Sequence, residues 1–449
     1  MGSFGGGRSP LQEALGRGLA PGGDPAGELD ALGETVIETE GDARALAEAV
    51  ARLAPGLAKG EGRGPALRDR LTSLLHRLVE LFQSVQNRET YEILRAEGVS
   101  HLLSVFDARL RVADEDEATD LLFLLKVAAM YRVEASVDRV AAAARSAMTS
   151  EGALWTVIFR AFDENHPYRI ALLNRLRNPL PGGFAGAAYL DFANAIAREG
   201  GLANHPYNTP DGRARLRAWL TDPAPKNAGY AHVATAALPF IDRPERDDLL
   251  ALAMDHPEPQ VQLEAAWAAG RLGSEAALKF LARSCLDHRH GKAAAAYLTE
   301  LGHGGRIPAA ALDPNFQAVA EMSRWLAHPS EFGRPPDEIA VADTRELFWP
   351  PTNDRRRLWV VRYRYAPARD GDRPEAGYGL VGSVTFALFG ESTADLPPED
   401  VYALHCCWEL EMNGDPRAPK DRSVAAGRAI LRGGAPSASS DNQGNGVSG

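Results

Sequence analysis

The sequence predicts a mainly α-helical protein, in which a right-handed α-solenoid of helix pairs is followed by a small C-terminal α+β domain with an antiparallel sheet. Three observations lead to this prediction. Apolar residues recur at steps of three and four over roughly 250 residues, without an intervening strand pattern. Part of that region repeats every 32 to 33 residues. After residue 332 the composition shifts to aromatic and β-branched residues, which favour strands.

The composition is typical of a globular protein, with 45% hydrophobic and 24% charged residues in a chain of 449. At about 100–200 residues per domain, this length allows several domains. The chain has 49 Lys and Arg against 60 Asp and Glu, a net charge of −11. This acidic balance argues against a nucleic-acid partner, because phosphate binding needs a basic surface. The three cysteines lack the spacing of a disulfide framework or a zinc site.

Neither end of the chain shows a targeting or anchoring pattern. The N-terminus lacks the basic start and apolar core of a signal peptide, and the Ser or Thr that myristoylation requires. No apolar stretch reaches the length of about 18 residues that a transmembrane helix needs. We therefore expect a cytoplasmic protein with no membrane partner.

Four segments are predicted along the chain. Residues 1–30 and 433–449 are rich in small and polar residues. Because such segments cannot bury enough apolar surface to offset the entropy of ordering, both are predicted as disordered tails. Between them we expect a helical repeat domain over residues 31–342 and a small α+β domain over residues 343–432.

The helical pattern becomes clear near Leu67. Leu67, Leu71, Leu74, Leu75 and Leu78 fall at steps of three and four, which places them on one helix face. Later apolar segments are separated by short breaks that carry Pro, Gly, Asn or Asp. Short helices joined by short breaks over so many residues favour an α-solenoid rather than a bundle.

An internal repeat supports this prediction. Asp222, Asp255 and Asp287 each begin a similar segment, at separations of 33 and 32 residues. In the middle segment, Gly273 can take the left-handed conformation that ends a helix. Ser274 directly after it can cap the next helix. Each segment is therefore predicted to be one pair of helices.

The segment 255–281 resembles a HEAT repeat, and more closely the short variant called the PBS-lyase HEAT-like repeat. The resemblance is clearest over residues 222–302. One residue departs from the pattern, because Gln262 stands where the family usually has an Arg that contributes to an Asp–Arg ladder between repeats. The resemblance implies an armadillo-type fold and, most often, a protein-binding scaffold. A minority of the family are enzymes or enzyme-associated, such as phycobilin lyase subunits and HEAT-like DNA glycosylases.

Three strand-like runs follow the helical region, at residues 358–365, 378–389 and 401–412. Residues 370–377 are predicted as the hairpin loop between the first two. A helix over residues 423–431 is predicted to cover the apolar face of the resulting sheet. No named family resembles this part of the chain.

Alternation along the third run predicts which side chains face outward. His405, Cys407, Glu409 and Glu411 share the outer face, while Cys406 points to the core. Arg residues on the outer face of the first run can then lie opposite the two glutamates, a favourable cross-strand arrangement. The candidate binding residues are Arg362, Arg364, His405, Glu409 and Glu411.

Candidate catalytic groups are few. Cys407 beside His405 is the one nucleophile–base arrangement that we can place, and buried or idle strand cysteines are far commoner than reactive ones. We therefore predict no catalytic residue, no cofactor and no metal site. Each of four histidines is directly followed by a proline. We predict that these histidines are turn residues at repeat boundaries rather than metal ligands or acid–base groups. These are His166, His205, His256 and His328.

Three hypotheses on function remain open. The leading one is a non-enzymatic scaffold or adaptor that binds a protein partner on the concave face of the solenoid. The second is a HEAT-like lyase or DNA glycosylase-type enzyme that stacks a substrate on tryptophans. The third is that the C-terminal α+β domain is the partner-recognition module. The tryptophans in question are Trp155, Trp219, Trp267 and Trp325.

The sequence at the junction of the two predicted domains indicates how they pack. The last helical segment, residues 316–326, is unusually apolar for the end of an array, and solenoid ends need a cap. A small sheet is marginal without a covering layer. We therefore predict that the helical array ends near His328 and that the sheet packs on its last helix pair, with Leu347, Phe348 and Trp349 as the anchor.

Overall fold

The computed structural model describes residues 8–33, 37, 39–60, 64–81, 88–112, 115–146, 152–222, 224, 227–367, 375–388 and 396–433. Over these residues the chain is mainly helical and carries a four-stranded antiparallel sheet towards its C-terminus, as the sequence predicts. Backbone contacts divide the chain into two compact units, Met1–Val261 and Gln262–Gly449. We call them unit 1 and unit 2 and describe each by itself.

Unit 1 begins with helices where the sequence predicts a disordered tail. Helix α1 (Pro10–Gly18) and helix α2 (Pro25–Ala31) each start at a proline. The residues before them, Ser9 and Asp24, accept backbone N–H groups of the first turn. The prediction of disorder over residues 1–30 is therefore wrong for this part, because its Gly and Pro residues mark helix ends. The first seven residues lie outside the described part.

Further helices follow through the rest of unit 1, most of them separated by short turns. A π-helical turn, Leu94–Gly98, joins α5 to α6. The helices are α3 (Glu40–Leu57), α4 (Gly64–Leu81), α5 (Arg88–Ile93), α6 (Val99–Arg109), α7 (Glu115–Met130), α8 (Ser136–Ala143), α9 (Gly152–Ala161), α10 (Arg169–Leu176), α11 (Gly183–Arg198), α12 (Pro210–Thr221), α13 (Ala228–Ala236) and α14 (Glu245–Met254).

The helices from α7 to α14 form two layers. Helices α7, α9, α11 and α13 contact one another in succession, while α8 contacts α10 and α12 contacts α14. Consecutive helices in this series thus alternate between layers, and α7 also packs on the more distant α4. The core between the layers is apolar, with residues such as Leu121, Leu125, Ile158 and Tyr189 fully buried.

Ion pairs link neighbouring helices of unit 1. They join side chains 30 to 32 residues apart in sequence. Each pair is partly exposed and individually contributes little stability. Each pair connects two helices, or the turns beside them, that are near neighbours along the chain. The pairs are Arg139–Asp107, Arg132–Asp163, Arg169–Glu199 and Arg213–Glu245.

Helices α15 (Pro259–Arg271) and α16 (Glu275–Ser284) form the pair that the repeat predicts. Gly273 between them has a φ of +90°, the left-handed conformation that ends a helix. The Ser274 hydroxyl accepts the backbone N–H of Ala277 at 3.3 Å and caps α16. The predicted helix end and cap are both confirmed.

Unit 2 continues through α17 (Gly291–Glu300) and two short 3₁₀ turns to α18 (Pro314–Leu326). The sheet that follows has the strand order β1-β2-β3-β4, with every neighbouring pair antiparallel. Two further helices complete the unit. The strands are β1 (Glu338–Trp349), β2 (Asp354–Tyr365), β3 (Glu375–Val381) and β4 (Phe386–Leu388), and the helices are α19 (Pro398–Met412) and α20 (Val424–Gly433).

The first two predicted strand runs are confirmed in outline. The run 358–365 lies within β2, and the run 378–389 divides into β3 and β4 at a turn. Gly382 in that turn has a φ of +106°, and a Cβ there would lie 2.3 Å from the Arg357 carbonyl oxygen. Glycine is required at this position for both reasons.

Strand β1 is absent from the sequence prediction, whose first strand run begins at residue 358. Its register shifts between Val341 and Asp343, so a regular alternation of apolar and polar residues does not run through it. It is also an edge strand with several charged, exposed side chains, which is typical of sheet edges.

The third predicted strand is wrong, because residues 401–412 lie in helix α19. The helix begins at Pro398 and carries Glu399 and Asp400 in its first turn, all of which favour a helix start. The spacing of apolar residues does not distinguish helix from strand here, because α19 is buried on most sides. A helix that is apolar on most sides has the same continuous apolar sequence as a buried strand. The predicted closing helix at residues 423–431 is confirmed as α20, and the tail beyond Gly433 lies outside the described part.

The sheet lies between two helical layers. On one face, Val319 and Met322 of α18 pack against Val361 and Tyr363 of β2. The opposite face packs against α19, which in turn contacts α20. A Cβ on Gly379 would lie 2.2 Å from Met322 Cε, so the tip of the Met322 side chain fills the space beside this glycine. The predicted packing of the sheet on the last helix pair is confirmed for α18.

Candidate functional site

A groove of about 610 Å³ crosses helices α8 and α10 in unit 1. Its lining comes from α8 and the turns beside it on one wall, and from α10 and the turn after it on the other. Polar and charged side chains dominate. We call this the α8–α10 groove, and it is lined by Glu134, Val137, Asp138, Arg145, Ala171, Asn174, Arg175 and Asn178.

Charged side chains tie the two walls of the groove together. An Arg175 guanidinium nitrogen lies 2.5 Å from Asp138 Oδ1. Arg145 donates to the backbone carbonyls of Arg175 and Pro179, at 2.6 and 3.2 Å. Arg145 thereby satisfies carbonyls at the C-terminal end of α10, where a positive charge is also favourable. These contacts fix the spacing of the walls.

Two asparagines supply hydrogen-bonding capacity that the fold does not use. Asn174 and Asn178 are both exposed, and neither side chain has a hydrogen-bond partner among the residues that the structure describes. Each side-chain amide has an NH₂ group that donates and a carbonyl oxygen that accepts. These complement the carbonyl and N–H groups of a peptide bond. The α8–α10 groove can therefore hydrogen-bond an extended backbone laid along it.

Sequence reasoning misses these asparagines. It places Asn178 in a break before a proline and assigns no role to Asn174. Two features of the sequence hint that both asparagines face solvent. They are four residues apart, which places them on one helix face, and the opposite face consists of the fully buried Leu172, Leu173 and Leu176. Polar residues on the exposed side of an amphipathic helix are too common for this signal to identify a groove.

The candidate binding residues do not form one site. Arg364 on β2 lies 3.2 Å from Glu338 of β1, and Arg362 is exposed on the same strand. Glu411 lies on α19, 3.1 Å from Arg422. The predicted cross-strand pairing of the two arginines with Glu409 and Glu411 is wrong, because the glutamates belong to a helix.

Glu409 is a buried structural residue, with 2% of its surface exposed. Its Oε2 accepts the indole N–H of Trp349 at 2.9 Å, and its Oε1 accepts the hydroxyl of Ser383 at 2.7 Å. The carboxylate thus joins the end of β1, the turn between β3 and β4, and α19. Trp349 is therefore an anchor to α19, and the prediction that it anchors the sheet to the last helix of the array is wrong.

His405 lies one helical turn before Glu409 and is also buried. Its ring meets Phe386 edge to face, with centroids 5.7 Å apart, and its Nε2 has no hydrogen-bond partner in the described part of the chain. Burial lowers the pKa of His405 from 6.5 to about 3, because the charged imidazolium is poorly solvated there. The side chain is therefore a neutral packing residue.

The Cys407–His405 pair that alternation suggested does not exist. Residues two positions apart on a helix are rotated by about 200°, so their side chains diverge. The Cys407 thiol lies 3.8 Å from the Ser423 carbonyl oxygen, and burial raises its pKa. Both groups are held in their neutral forms, and the arrangement offers no activated nucleophile.

The four His-Pro sequences share one turn geometry. In each, the histidine Nδ1 accepts the backbone N–H of the residue two positions later. This resembles the local bonds by which Asn and Asp stabilise turns, and it confirms these histidines as turn residues. The bonds run to His166 from Tyr168 (3.1 Å), to His205 from Tyr207 (3.3 Å), to His256 from Glu258 (3.1 Å) and to His328 from Ser330 (3.2 Å).

The four tryptophans lie in packed positions. Trp155 and Trp267 are fully buried. The other two are partly exposed: Trp219 stacks near Tyr230 at 5.6 Å between ring centroids, and Trp325 meets Phe386 edge to face at 5.7 Å. Their exposed surface is therefore small for a platform that would stack a base or a planar cofactor.

No protein-family model matches this chain, and no curated protein or solved structure is similar enough to it to count as a match. Within the described ranges, no cluster of three or more His, Cys, Asp or Glu side chains is arranged to hold a metal ion. Every helix of the same ranges is too short or too polar to cross a membrane.

Proposed function

We propose that this protein is a non-enzymatic adaptor that binds an extended segment of a protein partner in the α8–α10 groove. The observation that carries the proposal is the pair of exposed amides, Asn174 and Asn178, in a groove whose walls are fixed by hydrogen bonds and an ion pair. A rigid groove with unused donors and acceptors recognises a backbone at low entropic cost.

The arrangement of helices in unit 1 supports the proposal. Helices α7 to α14 pack in two layers on near neighbours along the chain, which is how the helices of a HEAT-like α-solenoid pack. Stacked helix pairs of this kind form extended binding surfaces rather than enclosed pockets. We therefore propose that the helices of unit 1 form a HEAT-like α-solenoid.

The charges of the groove favour a protein segment over a nucleic acid. Glu134 and Asp138 balance Arg145 and Arg175, so the lining has no net charge. Asp138 and Arg175 already pair with each other. Glu134 has no ion pair among the described residues, and Arg145 donates only to carbonyls. A segment that carries one basic and one acidic side chain fits these two remaining charges.

Site-specific photo-crosslinking tests the proposal. The photoreactive residue p-benzoylphenylalanine replaces Ala171, which lines the groove, in the full-length protein expressed in its native cells. The control carries it in place of Arg160, an exposed residue of α9 in the other helical layer. We expect a discrete crosslinked polypeptide from position 171 and none from position 160. Equal crosslinking from both positions, or none from position 171, would overturn the proposal.

A second measurement tests the chemistry of recognition. Replacement of both Asn174 and Asn178 by Ala is expected to weaken binding of the crosslinked partner at least tenfold, since each lost hydrogen bond costs about 1 kcal/mol. The matched control, Arg160→Ala, is expected to bind as the wild type does. Unchanged affinity in the double variant contradicts a role for the amides.

The two other hypotheses differ in their support. An enzyme that stacks its substrate on tryptophans would need more exposed rings than Trp155 and Trp267 provide. A recognition role for residues 343–432 stays a prediction. A cavity of about 300 Å³ beside α19 and β4, lined in part by Phe386 and Trp408, is the apolar surface that such a role would use.

A further inference from the structure

A second cavity, of about 310 Å³, lies within unit 2 between helices α17 and α18. The two 3₁₀ turns that connect these helices, Gly304–Arg306 and Ala309–Leu312, lie beside it. It is separate from the α8–α10 groove, and nothing proposed above uses it. We call it the α17–α18 cavity.

The inner surface of the α17–α18 cavity is apolar. Ile307, Ala311, Phe316 and Ala320 contribute to it, and these residues are buried or half-buried. Leu312 at its margin is 56% exposed, which is unusual for a large aliphatic side chain. An apolar group that enters the cavity would therefore remove hydrophobic surface from water.

Two cations stand at the rim of the cavity. Lys292 of α17 and Arg324 of α18 both line it and are exposed. Neither forms an ion pair with an acid among the residues that the structure describes. The Arg324 side chain makes one hydrogen bond, from its Nε to the Ala320 carbonyl oxygen at 3.3 Å. Both charges are thus available to an anion from outside.

The remaining polar groups of the lining leave an excess of positive charge. Glu321 is the acid that lines the cavity, and its carboxylate accepts the hydroxyl of Thr385 in the turn before β4. Gln317 is neutral. One carboxylate against Lys292 and Arg324 leaves the lining with a net charge of +1.

We propose that the α17–α18 cavity binds a small amphiphilic carboxylate, with its head group between Lys292 and Arg324 and its apolar body against Phe316 and Ile307. Small-molecule sites have this composition, in which mostly apolar walls carry a few polar groups that fix the ligand's orientation. At about 30 Å³ for each water-sized group, the cavity holds roughly ten non-hydrogen atoms. Octanoate has this size, whereas a long-chain fatty acid or a peptide exceeds it.

Isothermal titration calorimetry of the full-length protein with octanoate at pH 7 tests the proposal. Octanamide, which has the same shape without the charge, is the matched ligand control. We expect octanoate to bind at least tenfold more tightly than octanamide, because charge-assisted hydrogen bonds are stronger than neutral ones. Equal affinities, or no binding of octanoate at millimolar concentration, would overturn the proposal.

Variants locate the site. Lys292→Gln and Arg324→Gln are each expected to weaken octanoate binding about fivefold, while Lys279→Gln, an exposed cation of α16 outside the cavity, leaves it unchanged. All three are surface substitutions that leave the apolar core intact. Octanoate binding that none of the cavity variants changes would place the ligand elsewhere and contradict the assignment. Because the cavity is remote from Asn174 and Asn178 in sequence and lining, this result is independent of the adaptor proposal.

Discussion

At the scale of single residues, Glu409 is a buried polar side chain that specific partners hold. Glu409 accepts one hydrogen bond from Trp349 and one from Ser383 in an interior that excludes water. A buried donor left without its acceptor pays the full cost of its desolvation. Such residues therefore determine stability more strongly than the exposed ion pairs around them.

Glu409→Ala is expected to lower the free energy of unfolding by about 2–4 kcal/mol, because it leaves the Trp349 indole N–H without an acceptor and opens a cavity. Glu411→Ala, two residues further along α19 and exposed, is the control and is expected to change it by less than about 0.5 kcal/mol. Urea denaturation followed by tryptophan fluorescence measures both. Equal effects of the two substitutions would show that the buried network contributes no more than a surface charge.

The buried histidines make stability depend on pH. Burial lowers the pKa of His205 from 6.5 to about 3. Below pH 6.5 the unfolded chain binds a proton at His205, and the folded protein does not until about pH 3. The contribution of the neutral His205 to the free energy of unfolding is therefore fully present above pH 6.5. It is lost as the pH falls towards 3, by up to about 1.4 kcal/mol per pH unit.

His205→Asn is expected to remove this dependence. The Asn side chain can accept the same backbone N–H of Tyr207 and does not titrate. Between pH 7.5 and 5.5, where most carboxylates stay ionised, the urea midpoint of the wild type should fall more steeply than that of the variant. Parallel slopes would mean that His205 titrates normally in the folded protein.

At the scale of elements, close packing of backbones fixes how helices cross. A Cβ on Gly427 of α20 would lie 2.1 Å from the carbonyl oxygen of Ala403 in α19. A distance this short means that only glycine allows the present separation of the two helices.

Gly427→Ala is expected to push α20 away from α19 and to lower the free energy of unfolding by about 1–3 kcal/mol. This loss should occur even though alanine raises helix propensity by about 1 kcal/mol. Gly229→Ala in α13 is the control, since no heavy atom lies within 4 Å of its added Cβ, and it should be neutral or slightly stabilising. Thermal unfolding followed by circular dichroism compares the two. A stabilised Gly427→Ala protein would contradict the packing of α19 and α20.

At the scale of the whole molecule, α18 contributes to the core on which the sheet rests. Its Val319, Met322 and Leu326 are buried with residues of β2 and β3. A sheet with one face uncovered exposes a large apolar surface to water, which a domain of this size cannot offset. The sheet and the helix before it therefore form a single folding unit.

A fragment of residues 312–433 is expected to fold, whereas residues 336–433, which lack α18, are not. Dispersion of the amide signals in a ¹H–¹⁵N NMR spectrum distinguishes the two outcomes. Addition of a peptide of residues 312–328 to the shorter fragment is expected to restore part of the dispersion. A well-dispersed spectrum of the shorter fragment alone would show that α18 is dispensable.

The sequence by itself determines most of the helical part of this protein. Apolar residues at steps of three and four predict the helices, and the Gly273–Ser274 pair predicts both the end of α15 and the cap of α16. These features depend on neighbours within a few residues, so a local pattern is sufficient to predict them. The packing of the sheet on α18 also follows from composition, because two exposed apolar faces cover each other.

Only the tertiary structure decided the conformation of residues 401–412, the buried hydrogen bonds between distant residues, and the cavities between elements. Residues 401–412 read equally well as strand or helix, and burial against both the sheet and α20 makes them α19. The Glu409–Trp349 bond joins residues 60 positions apart, a pairing that no local pattern contains. The α8–α10 groove and the α17–α18 cavity are likewise spaces between elements. Their lining depends on how helices cross, which side-chain packing sets and periodicity does not.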